Sequence, residues 1–285
     1  MSFTAGKDAT VPQPAKARRE ALGVRILSSA VLIVLIVAAI ALGRPYFNLL
    51  IALSVATLAW EWVRLCSGPG FGGTGAALAV AVVAAVTLAS LGRADLALGA
   101  VALGAAAVAA VAAVERRRKI AWLAAGAPYI GLPGVAMVWL IADPELGRQT
   151  VAWMVAAVAA TDIGAYIAGR ALGGARLAPQ VSPNKTWAGL FGGVTCAVLV
   201  GGIAALLLGL PRLWPLAAAS AVVAVMAQTG DLFESRVKRQ FGVKDAGGII
   251  PGHGGLLDRV DGHLAAAVAV AGFNWIGGSS ILTWY

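Results

Sequence analysis

Residues 94–119 read ADLALGAVALGAAAVAAVAAVERRRK. The first 21 are almost wholly apolar, and four consecutive bases, Arg116 to Lys119, follow them. An apolar run of roughly 17–25 residues is what an α-helix needs to cross a bilayer. A basic cluster at its end is the mark of a cytoplasmic loop. This stretch therefore sets both the class of fold and the direction of its threading.

The same texture recurs along the chain. Apolar runs at 26–43, 46–66, 75–92, 94–114, 120–141, 150–170, 187–210, 213–232 and 264–281 predict nine transmembrane helices. They lack the period-two alternation of barrel strands, and backbone groups in lipid must be satisfied within a helix or a closed barrel. The fold class is thus all-α, a polytopic helical bundle. The composition agrees: 60% of the 285 residues are hydrophobic and only 12% charged, against about 25% charged in soluble domains.

With nine spans and a cytoplasmic N-terminus, eighteen of the 22 lysines and arginines fall on the cytoplasmic side. Arg44, Arg93, Arg148 and Arg212 fall on the other. The net charge of +9 follows from this bias and does not call for nucleic acid; anionic membrane lipids are nearer partners. Cys66 and Cys196 are far apart and form neither a metal-ligand pattern nor a disulfide framework. Residues 1–24 read as a disordered basic cytoplasmic tail. Ala39-Ile40-Ala41 resembles a signal-peptide cleavage site, but the run before it is long and another span follows at once, so it is taken as a retained first helix. The chain then divides into N-terminal helices, 25–149, and C-terminal helices, 150–285, with a candidate site on the cytoplasmic face of the latter.

Charge concentrates between the last two apolar runs, in QTGDLFESRVKRQFGVKDAGGIIPGHGGLLDRVDGH, residues 228–263. Five acids, five bases and both histidines of the chain sit there. Their formal charges cancel, which excludes a polybasic membrane anchor. Polar groups gathered in a membrane protein mark its chemistry. Asp231 has Glu234, Ser235 and Lys238 at helical spacings of three, four and seven, so a helix running past the bilayer edge sets them on one face. Asp258 and Asp261 stack likewise. Carboxylates from two helix ends, with no cysteine among them, suit Mg²⁺, which takes few carboxylates plus substrate phosphates; a solvated ion-pair surface is the alternative. Gly247-Gly248 and Gly252-His253-Gly254-Gly255 let backbone N–H groups approach a phosphate, or form a plain turn. His263 reads as an interfacial polar residue.

Asp162 and Glu61 also lie toward the cytoplasmic ends of their spans, which favours a site at that interface over an ion path through the midplane. Ser182-Pro183-Asn184-Lys185-Thr186 precedes a helix and is either a cap or an anion site at a helix N-terminus. Gly189 and Gly193 form a GxxxG spacing, for packing within one subunit or for a dimer contact.

Three of these stretches together resemble the signature of the phosphatidate cytidylyltransferase (CDP-diacylglycerol synthase) family. They are Ser235-Arg236-Val237-Lys238-Arg239, Lys244-Asp245, and Pro251-Gly252-His253-Gly254-Gly255-Leu256-Leu257-Asp258-Arg259-Val260-Asp261. Gly230-Asp231-Leu232-Phe233-Glu234, Asp162 with Gly164-Ala165-Tyr166, and the Ser-Pro-x-Lys-Thr loop also fit. The match covers the C-terminal half. Two positions depart from it: a second basic residue is expected where Asn184 stands, and often an acid where Ala188 stands.

The resemblance implies transfer of the cytidylyl group of CTP to phosphatidate, with pyrophosphate leaving. It implies Asp231, Asp258 and Asp261 as ligands for Mg²⁺, with a second cation as an option. Lys185, Lys238, Arg239, Lys244, His253 and Arg259 would be catalytic. Ser182, Lys185, Thr186, Ser235, Lys238, Arg239, Gly254 and Gly255 would bind substrate. The implied setting is a bacterial-type inner membrane, with a homodimer as a family-level expectation. The alternatives are a CTP-dependent kinase of polyprenol or another lipid alcohol, and, in a different class, a cation-coupled transporter.

Overall fold

The computed structural model describes residues 15–252 and 254–284, with side chains from Gly23 onward. Among these residues are nine α-helices: α1 (Ala15–Leu42), α2 (Tyr46–Ser67), α3 (Gly72–Ser90), α4 (Ala94–Val114), α5 (Ile120–Ile141), α6 (Gly147–Leu172), α7 (Trp187–Leu207), α8 (Trp214–Gln240) and α9 (Leu257–Gly277). The first eight are long and apolar enough to cross a membrane. The ninth carries Asp258, Arg259 and Asp261 in its first turns, ahead of an apolar remainder. The protein is an all-α, polytopic integral membrane bundle, as its hydropathy predicts.

Several boundaries differ from the sequence reading, those of α1, α8 and α9 most; α9 starts at Leu257 and not at 264. Helix α1 reaches back to Ala15, into the segment 15–24 assigned above to the tail; Lys, Arg, Glu, Ala and Leu there are all good helix formers. Residues 1–14 lie outside the described residues. Helix α8 runs on to Gln240, beyond the apolar limit at 232, and so carries Glu234, Ser235, Lys238 and Arg239 on a continuous helix.

The helices pack through two apolar cores. One joins α2, α3, α4 and α5, with Val237, Leu257 and Leu264 closing it from α8 and α9. The other joins α5, α6, α8 and α9 with the edge of α1. Helix α1 is peripheral, and Leu27, Ile33 and Val34 are exposed on it, as expected of a surface that faces lipid. Trp62 is fully buried, and its indole N–H donates to the Trp122 carbonyl at 2.9 Å, as a buried indole requires.

Close helix approach depends on glycine. A Cβ on Gly164 would come within 2.6 Å of Cys196 Sγ, and one on Gly193 within 2.8 Å of the Thr161 carbonyl. The GxxxG pair of α7 therefore packs against α6 inside the chain. Between these helices Arg176–Ala178 (β1) and Ser182–Thr186 (β2) form an antiparallel hairpin, with Arg176 opposite Thr186 and Ala178 opposite Ser182. Thr186 caps α7, its Oγ1 accepting from Gly189 N at 3.0 Å, as the cap reading of that loop predicts.

The charged helix ends meet at one end of the bundle. Lys119, at the start of α5, places its ammonium 4.1 Å from the centroid of Phe241 beyond α8. Ser28 of α1 donates to the Pro251 carbonyl at 3.2 Å. Nearby, Glu115 after α4 accepts from Gly73 N at 2.6 Å and Thr74 Oγ1 at 2.8 Å, supplying α3 with the cap its own sequence lacks. The Arg117 guanidinium hydrogen-bonded to Glu115 holds that carboxyl down at about 2. At the opposite end Arg44 and Arg148 line a separate cleft.

Candidate active site

Helix α8 supplies one wall of a polar cavity of about 500 Å³. Its heptad from Asp231 to Lys238 places Asp231, Ser235 and Lys238 toward α9, where Asp258, Arg259 and Asp261 complete the wall. Asp162 of α6, Ser182 of the hairpin, Arg239 in the last turn of α8, and Lys244 and Asp245 beyond it also line the cavity. Helices α6, α8 and α9 and two loops, distant in sequence, thus bring together most of the predicted residues. His253 lies outside the described residues.

The acids fall into two groups. One carboxylate oxygen from each of Asp231, Glu234 and Asp261 lies within 4.8 Å of the others. Glu234 is 1% exposed. Lys238 Nζ stands 2.5 Å from its Oε2, and its Oε1 has no hydrogen-bond partner. A buried carboxylate oxygen without a donor is expensive, and a cation between the three carboxylates would satisfy it. An all-oxygen set fits a hard divalent ion such as Mg²⁺.

Asp258 is engaged differently. Its Oδ1 accepts from Lys238 Nζ at 2.6 Å, and its Oδ2 accepts from Ala246 N at 3.0 Å and Gly255 N at 2.9 Å. Of the expected triad, Asp231 and Asp261 thus stand together with Glu234, while Asp258, on the same cavity, holds Lys238. The reason is register: Glu234, one turn after Asp231, reaches Asp261 across the α8–α9 contact, while Asp258 lies one turn nearer the glycine loop. Spacing put Glu234 on the right face; the partner across the gap is a tertiary fact.

The glycines also serve inward. The Gly255 N–H is committed to Asp258, so it is not free to approach a phosphate. A Cβ on Gly255 would come within 2.8 Å of Glu61 Oε1, and one on Gly254 within 3.1 Å of Asp258 Oδ2. Neither glycine lines the cavity. They allow the loop to close on two carboxylates. Glu61 is fully buried and accepts from Leu256 N at 2.8 Å and Leu257 N at 2.7 Å. It caps α9 from α2, because Leu256 at the cap position has no polar side chain.

Lys185, on β2, pairs with Asp231 Oδ2 at 2.7 Å and donates to Gln228 Oε1 at 2.9 Å. Ser235 donates to Asp231 Oδ1 at 3.3 Å. Thr186 is buried under the helix it caps. It lines, with Lys185, a second cavity of about 200 Å³ that shares Asp162 and Asp231 with the first. Arg259 stands at another junction. It lines the polar cavity and also an apolar groove of about 330 Å³ between α1, α2, α5 and α9, in which His263 is one of few polar groups.

This arrangement of cations around carboxylates, open both to a polar face and to an apolar groove, suits a reaction between a phosphate-bearing solute and a lipid. The sequence comparisons point the same way. A phosphatidate cytidylyltransferase of Brucella suis biovar 1 (strain 1330) is 47% identical over 155 residues, which are 54% of this chain and 57% of that protein. One from Staphylococcus epidermidis (strain ATCC 35984) is 41% identical over 132 residues, 46% of this chain and 51% of that protein. One from Mycobacterium leprae (strain TN) is 39% identical over 147 residues, 52% of this chain and 46% of that protein. The chain thus spans about half the length of the curated relatives it matches. The model described as the Cytidylyltransferase family matches residues 23–276, nearly the whole of the described chain, and the chain belongs to that family.

Proposed function

We propose that this protein transfers the cytidylyl group of CTP to phosphatidate, giving CDP-diacylglycerol and pyrophosphate for phospholipid synthesis. It would do so at the cytoplasmic face of a bacterial-type inner membrane. The observation that carries the reading is the double position of Arg259, on the polar cavity and on the apolar groove. One guanidinium can hold a lipid phosphate while the acyl chains lie among apolar side chains and the nucleotide arrives from water.

The chemistry asks little of a base. The second pKa of a phosphate monoester is about 6, so the lipid phosphate is already anionic near neutrality. Its oxygen forms a bond to the α-phosphorus of CTP as the bond from that phosphorus to the bridging oxygen of the β-phosphate breaks. Pyrophosphate leaves with the electron pair. The obstacle is the meeting of two polyanions, so positioning and charge neutralisation supply the rate. Lys238, fixed between Glu234 and Asp258, offers a cation whose place does not depend on substrate. Arg239, Lys244 and Arg259 add charge around the cavity. Lys185 neutralises Asp231 until a triphosphate competes for it. A divalent cation held by Asp231, Glu234 and Asp261 would supply further neutralisation of the phosphates.

The test is direct. Purified protein given CTP, Mg²⁺ and phosphatidate is expected to form CDP-diacylglycerol and pyrophosphate in equal amounts. Folded protein that forms neither overturns the reading. Release of CDP with phosphorylation of an added polyprenol would make it a lipid-alcohol kinase instead.

A further inference from the structure

The smaller cavity differs in chemistry from its neighbour. The larger is lined by Lys238, Arg239, Lys244 and Arg259. The smaller has Lys185 as its one cation, and the carboxamides of Asn184 and Gln228 lie on it. Asp162 and Asp231 form the shared wall. A nucleoside triphosphate has the same division: a polyanionic end that needs cations, and a neutral base that needs directed hydrogen bonds. The apolar groove, the cationic cavity and the carboxamide cavity therefore follow one another in the order of acyl chains, phosphates and nucleoside.

Gln228 is 6% exposed, and its carboxamide is held in one orientation. An ammonium group can only donate hydrogen bonds, so the atom 2.9 Å from Lys185 Nζ must be the oxygen. The amide nitrogen is the end left for a ligand. Cytosine presents adjacent acceptors at N3 and O2; uracil presents a donor at N3. A fixed donor matches the first and opposes the second.

On the reading of the reaction given above, we propose that this cavity is the base subsite and that Gln228 determines specificity by donating to cytosine N3. Lys185 would then act twice, on the phosphates and as the group that fixes the glutamine. Losing one buried hydrogen bond, or setting donor against donor, lowers affinity by roughly tenfold or more.

The test compares kcat/KM for CTP, UTP and 3-deazacytidine triphosphate, in which a C–H replaces the N3 acceptor. Wild-type protein is expected to use the deaza analogue at least about tenfold less well than CTP. Gln228→Glu keeps an oxygen for Lys185 but replaces the donor, and is expected to shift the CTP:UTP preference at least about tenfold toward UTP. Equal use of CTP and its deaza analogue by the wild type overturns the proposal without any variant. An unchanged CTP:UTP preference in Gln228→Glu overturns the role of Gln228. Should folded wild type make no CDP-lipid at all, the reading of the reaction falls and takes this inference with it; product with unaltered base preferences defeats the inference alone.

Discussion

Asp258 shows how one carboxylate can organise a site. It accepts three hydrogen bonds, from the Lys238 ammonium and from two backbone amides, and so ties the glycine loop to α8. Hydrogen bonds to a charged group contribute roughly 1.5–3 kcal/mol each. In Asp258→Asn the carboxamide turns a donor toward groups that can only donate. We expect turnover to fall by about a hundredfold or more, the range seen when a positioned electrostatic group is lost, while the protein still inserts and folds. A variant with wild-type kcat would remove Asp258 from the support of Lys238. Glu234 teaches the complementary lesson. Its spacing from Asp231 was visible in the sequence, but its burial and its proximity to Asp261 depend on a helix that begins more than twenty residues later.

At the level of elements, one helix supplies its own cap and two take theirs from elsewhere. Helix α7 is capped by its own Thr186, which the sequence announces. Helix α3 begins at glycine and borrows Glu115. Helix α9 begins at a leucine and borrows Glu61 from α2, 195 positions away from Leu256. A carboxylate at a helix N-terminus satisfies amides that have no partner within the helix. Glu61→Ala leaves two buried N–H groups without acceptors, at about 1–3 kcal/mol each, and loosens the loop that carries Asp258. Expected is a loss of about 2–5 kcal/mol, read as a lower unfolding temperature in detergent, with turnover falling in parallel. Glu61→Asp, one methylene shorter, should restore little. Wild-type stability in Glu61→Ala would show that the α9 amides find other partners. The hairpin was legible only as a loop, because strands of three and five residues, one containing Pro183, leave no periodic trace.

Across the whole molecule, the half of the chain without signature residues supports the half that has them. Trp62 of α2 lies 4.9 Å from Tyr129 of α5, and Tyr129 lies 5.2 Å from Phe233 of α8, between centroids. This aromatic row and the Glu61 cap connect α2 and α5 to the helices of the site. The bundle collects the ends bearing Lys119, Lys185, Lys238 and Arg259 together, and sets Arg44 and Arg148 apart. The positive-inside bias predicts the first group on the cytoplasmic side. A cysteine placed at Arg118 should react with a membrane-impermeant maleimide in inside-out vesicles and not in intact spheroplasts; one at Arg148 should do the reverse. The opposite pattern would invert the topology and put the site on the wrong side for the proposed reaction with CTP.

The sequence alone determined the number of helices, their approximate limits and the segments that hold the chemistry. Apolar length must match bilayer thickness, and that is a local property of the chain. It also carried the resemblance, because signature residues are close neighbours along it. Tertiary structure decided the rest: the approach of Glu234 to Asp231 and Asp261, the hold of Asp258 on Lys238, the inward use of the Gly255 amide, the borrowed caps, and Gln228 fixed by Lys185. Each of these depends on which atoms of separate helices come within hydrogen-bonding reach. That is set by helix rotation and depth in the bundle, through close packing at residues such as Gly164 and Gly193, and no spacing along one segment records it.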